Sequence, residues 1–341
     1  MRIAIAGVGV AGSYLGNMLQ AMDHKVDLFE SSRPEDHWPV CAWGASRHML
    51  ERFSKQAGLD FNDYILHIGQ RLRMDLPNDK VEHLDLKGLV TYDKRSWEHD
   101  LMKDLKINYG VRVTRDRFSI GDYDLVLDCT GLHRTLLPKS KEDFIIPAYE
   151  YLLENVKGED EFYTIGYPGA KGYFWYFPLG NNSGYMGAGD VLKKYHGIEE
   201  FFNRHPEAKV VKKIGRLIRL APPKRMEPFF DNNIVGVGES IGCVFPMLGE
   251  GIIPSLICCD FFLESLANSK FDFKKYRRRV LSYFDYYDDV YRIVRLKMDG
   301  KLSTIKHARL LMSMYRHMKK EESRFGFEVS LDKMNRLVNA L

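Results

Sequence analysis

The stretch MRIAIAGVGVAGSYLGNMLQAMDHKVDLFES, residues 1–31, decides the fold. Its opening run Ile3-Ala4-Ile5-Ala6 reads as a buried strand. Gly7, Gly9 and Gly12 follow in G-x-G-x-x-G spacing, with Ala11 just ahead of the last glycine. A helical period then carries Tyr14, Leu15, Met18, Leu19 and Met22, and a second strand, Val26-Asp27-Leu28-Phe29, ends on Glu30. Strand, glycine turn, helix and strand make a βαβ unit of the dinucleotide-binding kind. Gly7 serves the tight turn, Gly9 lets backbone approach a pyrophosphate, and Gly12 lets the helix close on the strand. The helix N-terminus offers N–H groups to phosphate charge. Glu30 stands where a carboxylate accepts bonds from ribose hydroxyls.

This unit suits FAD and NAD alike, so the rest of the chain must decide. With 341 residues, 45% of them hydrophobic, the chain can bury a sizeable core as one large or two intertwined domains. A net charge of +4 makes no global demand for nucleic acid. Lys and Arg outnumber Asp and Glu two to one from Lys270 onward, which leaves an acidic body and a basic tail. The five cysteines, Cys41, Cys129, Cys243, Cys258 and Cys259, are odd in number and form no C-x-x-C pair. A disulfide framework and a metal site are therefore not expected, and a reducing, cytoplasmic setting fits. No apolar run is long enough for a bilayer span, and glycines interrupt the N-terminal apolar run where a signal peptide would need continuity.

Residues 231–266, DNNIVGVGESIGCVFPMLGEGIIPSLICCDFFLESL, read as a strand, a glycine-rich loop and an apolar helix. The segment resembles the Gly-Asp … Pro … Gly-x-Gly-Ile region of flavoproteins in the p-hydroxybenzoate hydroxylase superfamily. The resemblance implies FAD, with Gly238 and Glu239 at its ribityl chain. Glu239 stands where the family usually has Asp. Gly249, Gly251 and Ile252 would open a helix whose N-terminus faces the flavin pyrimidine and favours negative charge there. YDLVLDCTGLHR, residues 123–134, is similar to the family's third nucleotide motif and puts Thr130 and Gly131 at a close approach. VTYDKRSWEHDLMKDL, residues 90–105, looks like its arginine-containing helix start, which implies that Arg95 reaches the FAD phosphates or the adenosine side.

GYFWYFP, residues 172–178, resembles the Tyr-x-Trp-x-Phe-Pro segment of the geranylgeranyl reductase family. In a strand, Tyr173, Trp175 and Phe177 share one face, and Phe174 and Tyr176 share the other. The first row would wall an apolar pocket and the second would pack as core. HWPVCAWGAS, residues 37–46, places Cys41 and Trp43 where related reductases approach the flavin. The resemblance implies catalytic roles for Cys41, Tyr173 and Trp175, and a substrate pocket of Trp43, Tyr173, Trp175, Phe177 and Pro246.

The expected fold class is α/β: a Rossmann-like FAD-binding domain, an inserted antiparallel-sheet substrate (cap) domain and a C-terminal helical region. The FAD-binding domain would comprise residues 1–49, 91–137 and 229–268, the cap residues 50–90 and 138–228, and the helical region residues 269–341. The expected activity is FAD-dependent saturation of carbon–carbon double bonds in a geranylgeranyl-type isoprenoid. NAD(P)H or a ferredoxin-like protein would be the electron donor. A flavin monooxygenase or halogenase is the alternative within the superfamily, with Lys171 near the aromatic row as a halogenase-type lysine. A non-catalytic FAD-containing lipid-binding protein is the alternative outside enzymes. In LSTIKHARLLMSMYRHM, residues 302–318, a stripe of Leu302, Ile305, Ala308, Met312 and Tyr315 reads as core packing. The basic residues around it would also allow peripheral membrane contact.

Overall fold

The computed structural model describes residues 1–39 and 41–341. The opening stretch folds as a strand β1 (Arg2–Ala6), a helix α1 (Val10–Ala21) and a strand β2 (Lys25–Phe29). β1 lies in the middle of a six-stranded sheet, parallel to β2 on one side and to Leu125–Asp128 on the other. The sheet continues past β2 to Ile107–Asn108, and past Leu125–Asp128 to Ile234–Gly236 and an antiparallel edge at Phe230–Asp231. Ile3, Ile5, Val126 and Leu127 are fully buried, as helix-covered parallel strands require. α1 packs between the helices Lys94–Met102 and Ile252–Glu264, so segments far apart in sequence close one core.

A seven-stranded sheet forms the second layer, in the order Lys209–Arg219, Ile145–Glu154, Ser183–Asp190, Gly172–Gly180, Phe162–Gly166, Arg71–Leu76 and Lys80–Asp85. All neighbours are antiparallel except Phe162–Gly166 beside Arg71–Leu76. A small sheet of Gly44–Ser46, Leu89–Tyr92 and Ile65–Ile68 joins the layers.

A boundary at residue 50 falls inside the helix Arg47–Gln56. Leu50, Phe53, Phe61 and Tyr64 pack in the same core as β1, so residues 50–64 belong physically to the nucleotide-fold layer. The C-terminal helices also pack into that core through Tyr287, Met314 and Phe325. The stripe read at Leu302–Tyr315 holds only in part: Leu302 and Tyr315 pack against the core, while Ile305 and Ala308 are exposed. The helix begins only at Ala308, its buried face is Leu311, Met314 and Met318, and Ile305 is 88% exposed ahead of it.

Candidate functional site

The glycine turn after β1 has the geometry its sequence requires. Gly7 has φ +87°, and a Cβ there would lie 2.6 Å from the Cys129 carbonyl oxygen. A Cβ on Gly12 would lie 1.9 Å from the Gly7 carbonyl oxygen, so α1 rests directly on the turn. A Cβ on Gly9 would meet nothing within 4 Å, which leaves this side of the loop open to a ligand. Gly9 caps α1 without a side chain, and the first turn holds no acidic residue. Its N–H groups are thus clear of a competing carboxylate.

Glu30 closes the turn from β2. Its Oε2 accepts from the Val8 N–H at 3.1 Å, and its Oε1 accepts from the Ser32 N–H at 2.8 Å. Burial pushes its pKa up, but these backbone donors prevail and hold it below the ordinary value. It is therefore an anion with lone pairs to offer a ribose.

The second glycine region meets the first. Gly238 has φ +75°, and a Cβ on it would sit 3.4 Å from the Ala11 Cβ and 2.9 Å from the Ser255 Oγ. The Thr130–Gly131 loop joins them, since a Cβ on Gly131 would lie 3.0 Å from the Glu239 Oε2. Gly7, Gly12, Ala11, Thr130, Gly131, Gly238 and Glu239 therefore form one cluster of loops at the ends of the parallel strands. This is where open α/β sheets bind ligands.

Arg219 fastens that cluster to the seven-stranded sheet. Only 3% exposed, it donates from Nη1 to the carbonyls of Gly131 at 3.3 Å and Glu239 at 3.0 Å. From Nη2 it donates to Leu132 O and to Asp143 Oδ2. The Glu239 carboxylate, expected at a ribityl chain, accepts from Arg216 Nη2 at 3.1 Å and from the Arg219 N–H at 3.3 Å. Glutamate's extra methylene lets it reach that strand.

Gly249, Glu250 and Gly251 lead into the helix Ile252–Glu264. Here the helix start carries its own anion, because Glu250 Oε1 accepts from the Ile253 N–H at 2.9 Å. Glu250 Oε2 accepts from Arg324 Nη1 at 2.6 Å. Arg324, 3% exposed, also donates to Glu321 at 2.8 Å and stacks over Phe325. Pro246 is buried in the turn closed by the Gly249 N–H bond to Phe245 O.

The aromatic run divides as strand alternation dictates. Phe174 and Tyr176 are fully buried against Phe201 of the helix Ile198–Arg204 and are plain core. Tyr173 and Trp175 face the nucleotide-fold loops: the Tyr173 hydroxyl donates to Leu248 O, and Gly249 packs on Ile218 of the same sheet face. Opposite Trp175 stands Gly187, where a Cβ would lie 2.4 Å from the indole, so the ring lies across the neighbouring strand. Phe177, expected in the pocket wall, instead packs on Phe162 at 4.8 Å and against the Cα of Gly44.

Trp43 and Arg95, expected at substrate and cofactor respectively, line a single open cleft of about 550 Å³ with Trp38, Asp93 and His99. The Arg95 guanidinium lies over Trp38 at 4.8 Å, and the Lys212 ammonium lies over the same ring at 3.9 Å. Trp38 stacks on Trp43, which packs on Tyr185 at 5.0 Å. Trp43 has φ +59°, a strained setting for a bulky residue and one common at functional loops. Val40 lies outside the described residues. The Cys41 thiol is pushed up by burial and so keeps its proton.

Sequence reasoning missed Glu150, Arg216, Arg219, Glu250 and Arg324. Arg216 and Arg219 are three positions apart and so start on opposite faces of one strand; they and the other three gain their roles through long-range packing. All five cysteines are free, and no cluster of metal-ligating side chains exists among the described residues. Among them, too, no helix is long and apolar enough to cross a membrane.

No protein-family profile matches the chain, and no curated protein matches it in sequence. Solved structures do match in shape. A geranylgeranyl bacteriochlorophyll reductase-like protein from Thermoplasma acidophilum superimposes with TM-score 0.64 at 16% identity, covering 94% of this chain and 98% of that one. HpxO of Klebsiella pneumoniae, solved with FAD and uric acid, gives TM-score 0.63 at 12% identity, with 100% and 96% covered. A tryptophan 6-halogenase from Streptomyces toxytricini gives TM-score 0.64 at 14% identity, with 86% and 78% covered. The α/β architecture expected from the sequence is the fold of these solved structures, a geranylgeranyl bacteriochlorophyll reductase-like protein among them.

Proposed function

We propose that this chain is a FAD-dependent oxidoreductase that saturates carbon–carbon double bonds of an isoprenoid chain. The loop cluster fits the cofactor: an open Gly9 side, an uncapped helix N-terminus, an ionised Glu30 and close backbone at Gly131 and Gly238. Bound FAD would supply a two-electron carrier that passes hydride to one alkene carbon, recharged by NAD(P)H or a ferredoxin-like protein.

The observation that carries the reductase reading is the Tyr173–Trp175 row, set on the sheet face turned toward the Leu248–Gly251 loop. An unactivated alkene offers only methyls and π electrons for recognition, so positioning and exclusion of water must do most of the catalysis. Trp175, 8% exposed and lying across Gly187, excludes water. Tyr173 holds the loop through Leu248 O. Its hydroxyl proton is thereby engaged, and burial pushes its pKa up, so it is a poor acid.

The test is anaerobic turnover of the photoreduced protein on geranylgeranyl lipids with mass detection. A gain of two hydrogens supports the reading. A gain of one oxygen, or halide incorporation, supports the second reading, a monooxygenase or halogenase, which the halogenase-like shape keeps in view. A protein that keeps FAD but never reoxidises with substrate would be a carrier. An isoprenoid lipid also suggests docking of the basic C-terminal segment on a membrane. Charge reversal at Lys306 and Arg309 should then abolish liposome binding, and indifference to lipid contradicts it.

A further inference from the structure

One buried carboxylate is left over once the cofactor loops and the aromatic row are assigned. Glu150 lies in the strand Ile145–Glu154, opposite Gly187, which in turn stands opposite Trp175. Residues directly opposite across antiparallel strands share a face. Glu150 therefore projects on the same side of the sheet as Trp175 and Tyr173, separated from Trp175 by a residue with no side chain. It is 6% exposed, and its Oε1 finds no hydrogen-bond partner among the described residues. A buried, half-satisfied carboxyl is costly and calls for a reason.

Its surroundings come from four elements. The Cys41 N–H donates to it, and the Cys41 thiol, Lys94, Arg216 and Tyr185 stand around it. Neither cation is simply its counter-ion. Lys94 is paired at 2.5 Å with Glu98, and Arg216 with Glu239.

We propose that Glu150 is the acid that protonates the substrate, delivering its proton on the sheet face that carries Trp175 and Tyr173. This rests on the reductase reading above and names the proton donor for it. In the step, the alkene π pair forms a C–H bond to the carboxyl proton while the O–H pair stays on Glu150 as carboxylate. The second alkene carbon takes the hydride supplied by reduced FAD. Solvent protons then reload the carboxylate for the next turnover. Burial supports the role: it pushes Glu150 up to about 7, with Arg216, the Cys41 N–H and Lys94 only partly opposing, so the group holds a transferable proton near neutral pH.

The test compares wild type with Glu150→Gln and Glu150→Asp, each first checked for FAD content and reduction by dithionite. Infrared difference spectra across pH should show a protonated carboxyl band titrating near neutrality in wild type and missing from E150Q. In anaerobic single turnover on a geranylgeranyl lipid, E150Q should lose about 100-fold or more in the rate of alkene reduction, with substrate affinity kept. E150D should recover part of the rate, and the wild-type rate should fall as pH rises through the carboxyl titration. An active wild type with an equally fast E150Q, or a carboxyl band unchanged by E150Q, overturns the assignment of Glu150. A wild type that keeps its titrating carboxyl band but reduces no alkene overturns the reductase reading itself.

Discussion

Ala11 and Gly238, 227 positions apart in the chain, approach so closely that a Cβ on Gly238 would lie 3.4 Å from the Ala11 Cβ. This contact joins the two glycine regions that the sequence assigns to one cofactor. Gly238 also needs φ +75°, a left-handed setting that costs a side-chain-bearing residue about 1–2 kcal/mol. Gly238→Ala should therefore lower stability by about that amount and weaken FAD binding. Thermal melts with and without FAD check both.

Gly12 offers a sharper case. A Cβ there would lie 1.9 Å from the Gly7 oxygen, so α1 must move away from β1 to accept it. Overpacking of this kind costs about 1–3 kcal/mol. Gly12→Ala should lower FAD affinity at least about tenfold, which corresponds to about 1.4 kcal/mol, as read by flavin fluorescence titration.

The Arg324–Glu250 pair tests whether the C-terminal helices support the Gly249–Gly251 loop. Arg324 is buried and Glu250 is partly exposed at 22%, so removing the arginine leaves a carboxylate that water compensates only in part, at a cost of about 1–3 kcal/mol. Arg324→Met should lower the melting temperature by several degrees and strip FAD. The double variant with Glu250→Gln should recover much of the loss. A double variant no better than the single one would show that Arg324 acts through Glu321 and Tyr286 instead.

Glu150 also predicts how stability varies with pH. Its folded pKa of about 7 exceeds the ordinary 4.5, so between those values the folded protein binds more protons than the unfolded chain. Stability from this group is therefore present below pH 4.5 and is lost as pH rises toward 7, by roughly 3 kcal/mol in all. Denaturant melts at several pH values should show that decline in wild type and a flatter profile in E150Q.

Much of the nucleotide fold was legible because its signals are local. The Ile3–Ala6 run, the spacing of Gly7, Gly9 and Gly12, and Glu30 after β2 lie within one short segment, and each does geometrically what its residue type suggests. Strand alternation likewise separated Tyr173 and Trp175 from Phe174 and Tyr176. Long-range relationships were not legible. Glu150 gains its meaning only through the register that sets it beside Gly187 and Trp175, and Arg324 only through a partner 74 positions away. Phe177 kept its strand face, yet Phe162 and Gly44 at the far end of the strand make it core. The stripe from Leu302 held at Leu302 and Tyr315 but not at Ile305 and Ala308, because a helical period was laid over residues 302–307, ahead of the helix that begins at Ala308.

The loops at Gly7–Gly12, Thr130–Gly131 and Gly238–Gly251 are expected to hold one FAD between them. Titrating cofactor-stripped protein with FAD, followed by absorbance and fluorescence, measures this directly. The predicted result is saturation at one FAD per chain with a shifted flavin spectrum, weakened in Gly12→Ala. A flavin spectrum that stays that of free FAD at every protein concentration, in wild type and variant alike, would contradict it.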